Sequence, residues 1–144
     1  MADSKTLEAA QITFAYIIVY FLCISVQVYI KIKSTVTAAK KKEGLQGYKR
    51  YEDPTCLVAD RIVGNTLEWM PVFLGLFWLN YLVGQGVQSV AWVYVVCRLV
   101  YPFLAVRGGI TKAGAQPLIL LSTIPAYFVL FYYGYHVGRS VIKL

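Results

Sequence analysis

Four apolar stretches, near residues 9–30, 57–83, 87–106 and 116–137, leave this chain few ways to fold. The hydrocarbon core of a bilayer is crossed by about 20 residues of helix, and within it every backbone N–H and C=O must be satisfied inside the segment or its bundle. The uncharged part of the second stretch, Trp69–Val83, is shorter than that. Its helix therefore has to begin well before Trp69 and carry polar residues with it. Soluble domains run near 45–50% apolar, whereas this chain is 58% hydrophobic. The expectation is an all-α integral membrane four-helix bundle forming a single domain over 1–144. Its helices lie at about 9–33, 56–83, 87–107 and 115–138, with one basic loop at 34–55. Asp3 and Glu8 stand where a signal peptide has its basic region, so the first stretch reads as a retained helix.

The formal net charge of +7 would suggest nucleic acid in a soluble protein. Here the cations crowd beside one connection, which excludes nucleic acid as the partner and points to membrane lipids. Lys31, Lys33, Lys40, Lys41, Lys42, Lys49 and Arg50 separate stretches one and two, and Arg107 and Lys112 separate three and four. The other side holds Lys5, Arg139 and Lys143. The positive-inside bias places the long loop in the cytosol and both termini across the membrane; the membrane expected, which the charges do not identify, is that of the endoplasmic reticulum or another organelle. Cys23, Cys56 and Cys97 have neither CxxC nor Cys/His spacing, so the sequence offers no disulfide framework and no metal site. His136 reads as an interfacial side chain.

The second stretch opens with Arg61, Asn65 and Glu68. At about 100° per residue, the spacing i, i+4, i+7 gathers them on one helical stripe roughly 60° wide. Ionisable groups at the mouth of a spanning helix are costly and mark a site by default. Pro71 lies just beyond the stripe, where it removes a backbone bond and predicts a kink. The third stretch buries Arg98, with Tyr101 one turn further on. Both can face the stripe. The competing reading is a packing network, with an Arg98–Glu68 ion pair holding the hairpin together. Lys31 and Lys33 leave the first helix at the headgroups, either snorkelling or reaching a ligand.

Arg61-x-x-x-Asn65-x-x-Glu68-Trp69-x-Pro71 resembles the second-helix signature of the MAPEG family, the membrane-associated proteins in eicosanoid and glutathione metabolism. Length and helix count extend the likeness over nearly the whole chain. The resemblance implies a homotrimer with glutathione as cofactor between neighbouring subunits, and a glutathione transferase or peroxidase acting on lipophilic substrate drawn from the bilayer. It also admits a non-catalytic lipid-binding or scaffold role. It implies that Arg61, Asn65, Glu68 and Trp69 bind glutathione and that Tyr101 matches a third-helix tyrosine of the site; Arg98, Lys31 and Lys33 are further candidates by their own placement in the chain. Lys112 takes the place of the family's thiol-activating arginine, with Arg107 as the second candidate catalytic cation. Ala105 replaces a tyrosine, and Val58 stands where many members carry another arginine.

Overall fold

The computed structural model describes residues 3–40, 48–49, 51–83, 87–108 and 117–142. Four helices follow in order: α1 (Ser4–Ala39), α2 (Pro54–Val83), α3 (Ala91–Gly108) and α4 (Pro117–Ile142). All four, with α3 taken from its preceding turn, are long and apolar enough to cross a membrane. Several boundaries differ from the sequence reading, α2 among them, which starts at Pro54. α1 begins at Ser4 and continues to Ala39, so the first part of the expected loop at 34–55 is helical. The expected third helix opens with a 3₁₀ turn, Gln88–Val90, and α4 extends to Ile142.

The helix starts follow from local chemistry. The Asp3 carboxylate accepts the Thr6 N–H at 2.7 Å, and its carbonyl takes the Leu7 N–H at 3.1 Å, capping α1. At α2 the Asp53 carbonyl accepts the Leu57 N–H at 3.0 Å, while its carboxylate accepts from the Thr55 and Cys56 amides at 2.9 and 3.4 Å. Pro54 then occupies the first helical position, where an N–H has no intrahelical partner to lose. The Tyr48 hydroxyl donates to the other Asp53 oxygen at 3.0 Å and lies 3.6 Å from the Cys56 sulfur. With the Cys56 thiol and the Asp53 carboxylate beside it, the phenol is pushed up to about 12 and remains protonated through the neutral range.

The helices run up, down, up, down. α1 packs on α2 and α3 on α4, while α2 also meets α4 and α1 meets α3, so the order around the bundle is α1, α2, α4, α3. One end is fastened by a 2.5 Å hydrogen bond between Thr6 and Tyr81. There the Tyr133 hydroxyl also donates to the carbonyls of Val87 and Gln88 at 3.1 and 3.0 Å. The Tyr132 hydroxyl accepts the Val87 N–H at 2.9 Å.

All four helices contribute to one aromatic column. Phe73 of α2 stacks on Tyr94 of α3 with centroids 4.0 Å apart, and Tyr16 of α1 meets the Phe73 ring edge-on at 5.1 Å. Phe77 joins the column to Tyr133 of α4 at 6.0 Å. These five rings have no solvent exposure. The Tyr16 hydroxyl donates to the Thr66 carbonyl at 3.0 Å, which gives this buried polar group a partner. α2 is continuous through Pro71, as are α3 through Pro102 and α4 through Pro125. The outer surface carries Phe14, Phe21, Phe103, Leu121, Phe128 and Phe131, all largely exposed, an apolar coat suited to lipid.

Candidate functional site

The polar stripe of α2 opens onto a cleft of about 700 Å³ between α2, α3 and α4. Arg61, Gly64, Asn65 and Glu68 form one wall, with Leu57 and Asp60 toward the start of α2. Tyr101 of α3 and Ile119, Leu120, Thr123 and Tyr127 of α4 form the rest. The volume lies within the range of small-molecule sites, about 300–1,000 Å³. Arg61 and Glu68 are exposed, and neither makes an ion pair among the described residues. Seven residues of helix set them about 10 Å apart along the axis. That separation suits the two ends of one ligand better than a mutual pair. Tyr101 is almost entirely buried and lines the same space.

Arg98 does not form the Arg98–Glu68 pair of the competing packing reading. Its Nη1 donates to Asn65 Oδ1 at 2.6 Å. The guanidinium sits 4.9 Å from the centroid of the Tyr94 ring, and the side chain is 1% exposed. The choice of partner has a geometric cause. Asn65 and Glu68 are separated by about 60° around α2, which turns Asn65 toward α3 and leaves Glu68 exposed beside the opening. Arg98 does not itself line the cleft, whereas its hydrogen-bond partner Asn65 does.

The remaining sequence candidates divide by place. Trp69 supports the cleft from outside its lining, with its ring 4.9 Å from that of Tyr127. Lys31 forms an ion pair with Asp60, and Gln27 Nε2 donates to the same Asp60 oxygen at 2.7 Å, so α1 is tied to the edge of the cleft. Lys33 is exposed, with its ammonium 6.0 Å from the centroid of the Tyr29 ring. Arg107 is exposed in the last turn of α3 and does not line the cleft. Lys112 falls outside the described residues. Ala105 is completely buried, and Val58 is half-buried against the core.

Sequence reasoning missed Asp60, Thr123 and Tyr127. Asp60 is about 100° from Arg61 around the helix and falls outside the stripe. Its charge at the start of a spanning segment was nevertheless a signal. Thr123 and Tyr127 are four residues apart and share a face of α4, a pattern hidden within that helix's run of aromatics.

A family model described as the MAPEG family matches residues 9–136, nearly the whole chain. No curated protein and no solved structure matches it.

Proposed function

The chain belongs to the MAPEG family, and from that premise we propose that this integral membrane protein is a glutathione transferase or peroxidase for lipophilic electrophiles or lipid hydroperoxides. One observation carries the reading: Arg61, Asn65, Glu68 and Tyr101, drawn from two helices, line a single cleft. Glutathione presents two carboxylates, an ammonium, peptide groups and a thiol. Arg61 offers a planar fork for a carboxylate, Glu68 a counter-charge for the ammonium, and Asn65 a partner for a peptide group. Tyr101 and Tyr127 supply the hydroxyl-bearing wall. The thiol reacts as thiolate, which a nearby cation favours. In this reading Lys112 supplies that cation, with Arg107 as the alternative. Lys31 and Lys33 remain candidates for a carboxylate, with Lys31 already engaged by Asp60.

A homotrimer with glutathione shared between neighbouring copies belongs to this proposal, as do an organelle membrane and a cytosolic long connection. Crosslinking in mild detergent tests the assembly, and a clean monomer counts against it.

The binding claim is tested by thermal-shift titration with glutathione in detergent. Ligand at a hundred times its dissociation constant stabilises by about 2.7 kcal/mol, and an unmoved midpoint at millimolar glutathione rejects the site. The chemistry is tested separately by titrating the absorbance of bound thiolate against pH. Lys112→Met is expected to raise the pH at which the thiolate forms while leaving affinity nearly intact. If neither Lys112→Met nor Arg107→Met moves the curve, cation activation by these residues is wrong.

One observation favours a second reading, a non-catalytic lipid-binding or scaffold member. Ala105 is packed with no exposure where the resemblance has a tyrosine, so that hydroxyl is missing from the third helix. Glutathione binding without a detectable thiolate would select this reading.

A further inference from the structure

We infer that Arg98 is a positioning residue that turns Asn65 into a hydrogen-bond donor toward the cleft, and so restricts the ligand group opposite Asn65 to an acceptor. A side-chain amide has two unlike ends, one oxygen acceptor and one NH₂ donor, and can present either by rotating. Arginine has five N–H donors and no acceptor. When Arg98 Nη1 approaches Asn65 at 2.6 Å, the amide end facing it has to be the oxygen. Asn65 lines the cleft, and with its oxygen engaged the hydrogen-bonding group left for a ligand is the NH₂.

Arg98 is well placed for this task because it has little room to move. It is 1% exposed, and its guanidinium lies over Tyr94, whose ring stacks with Phe73 at 4.0 Å. The aromatic column that binds the four helices together thus also fixes the direction of one amide in the cleft. Among the described residues Nε and Nη2 of Arg98 have no hydrogen-bond partner. These two nitrogens define a rival role, direct capture of a ligand anion. Against it, Arg98 does not line the cleft and Asn65 does.

The inference rests on the proposed binding of glutathione, where the acceptor opposite Asn65 is a peptide carbonyl or a carboxylate. The test is a double-mutant cycle read as glutathione affinity in detergent, with the thermal midpoint of each ligand-free variant measured alongside. Loss of one well-placed hydrogen bond corresponds to about a tenfold change in affinity. Asn65→Ala and Arg98→Met are each expected to weaken binding about tenfold, and the double variant no further than Asn65→Ala alone. Arg98→Lys, which can still donate to the Asn65 oxygen, is expected to recover most of the loss. Asn65→Asp keeps an acceptor for Arg98 but removes the donor, so it should fold with a near-parent midpoint and lose more than tenfold in affinity. Additive losses in the double variant overturn the inference in favour of direct contact between Arg98 and the ligand. Parent-like affinity in Asn65→Asp also overturns it, and does so even if Arg98→Met fails to fold. No binding in the parent protein removes the glutathione reading itself, an outcome distinct from tight parent binding with additive variants.

Discussion

Asn65 and Glu68 lie within one turn of α2, yet the first is tied to α3 and the second faces the opening. Their difference sets the expected cost of substitution. Arg61→Ala and Glu68→Gln each remove a charged contact from the proposed ligand while leaving the side-chain hydrogen bonds among the described residues unchanged. Each is expected to weaken glutathione by about 1.5–3 kcal/mol, seen as a rightward shift in the titration with little change in the ligand-free midpoint. Their combination should cost less than the sum, since both grip one molecule. Tyr16→Phe acts on the fold instead. It removes the 3.0 Å bond to the Thr66 carbonyl and should lower stability by about 0.5–1.5 kcal/mol in an unfolding titration, with affinity kept. The stripe was legible in the sequence because helical periodicity is a local property. The partner of Arg98 was not, because its place within the third stretch says nothing about the angle at which each residue leaves its helix. Asp60 escaped for a related reason: its partners Lys31 and Gln27 come from α1 and meet it only in the folded bundle.

Helix ends are decided by a few side chains, and α2 shows this most clearly. Partial burial pulls the Asp53 carboxyl upward, but hydrogen bonds from Tyr48, Thr55 and Cys56 outweigh that and hold it below its ordinary range. A carboxyl depressed on folding stabilises at pH above its unfolded value, and the benefit disappears as pH falls through the folded value. Asp53→Ala is therefore expected to cost about 1 kcal/mol near neutral pH, with the gap to the parent closing below about pH 4. Thermal midpoints of the two proteins from pH 6 to pH 3 check this. Asp53→Asn keeps a capping oxygen and should flatten the pH dependence with a smaller loss. The start of α2, expected near Cys56, lies two residues earlier, because Asp53-Pro54 supplies an N-cap acceptor followed by a residue suited to the first turn. The end of α1 was not legible, because polar residues from Ser34 onward resemble a loop while the chain continues as helix to Ala39. At about 1.5 Å per residue, the 36 residues of α1 exceed a bilayer core of about 30 Å. The excess holds Lys31, Lys33 and Lys40 near the headgroups if the apolar part spans the core.

For the bundle as a whole, the aromatic column is the common support. Phe73 touches Tyr16 and Tyr94 from two other helices. Phe73→Ala should therefore cost about 3–5 kcal/mol and loosen Arg98 through Tyr94, lowering glutathione affinity from a position outside the cleft lining. A variant that unfolds earlier but binds at parent strength would separate the column from the site. The four spans were legible because apolar length is a strong signal, whereas the cleft needed α4, whose contributing face is concealed in an evenly apolar helix. Besides its charged groups, the cleft carries Leu57 and Leu120, both partly exposed to the outside of the bundle. In the proposed reaction this gives the two substrates different dimensions of search. The peptide arrives from a volume of water, and the lipophilic partner from a sheet of lipid, where its mole fraction among amphiphiles sets the encounter rate. Diluting the membrane phase with inert detergent at constant total substrate should slow turnover in proportion, while the same dilution leaves the response to glutathione unchanged.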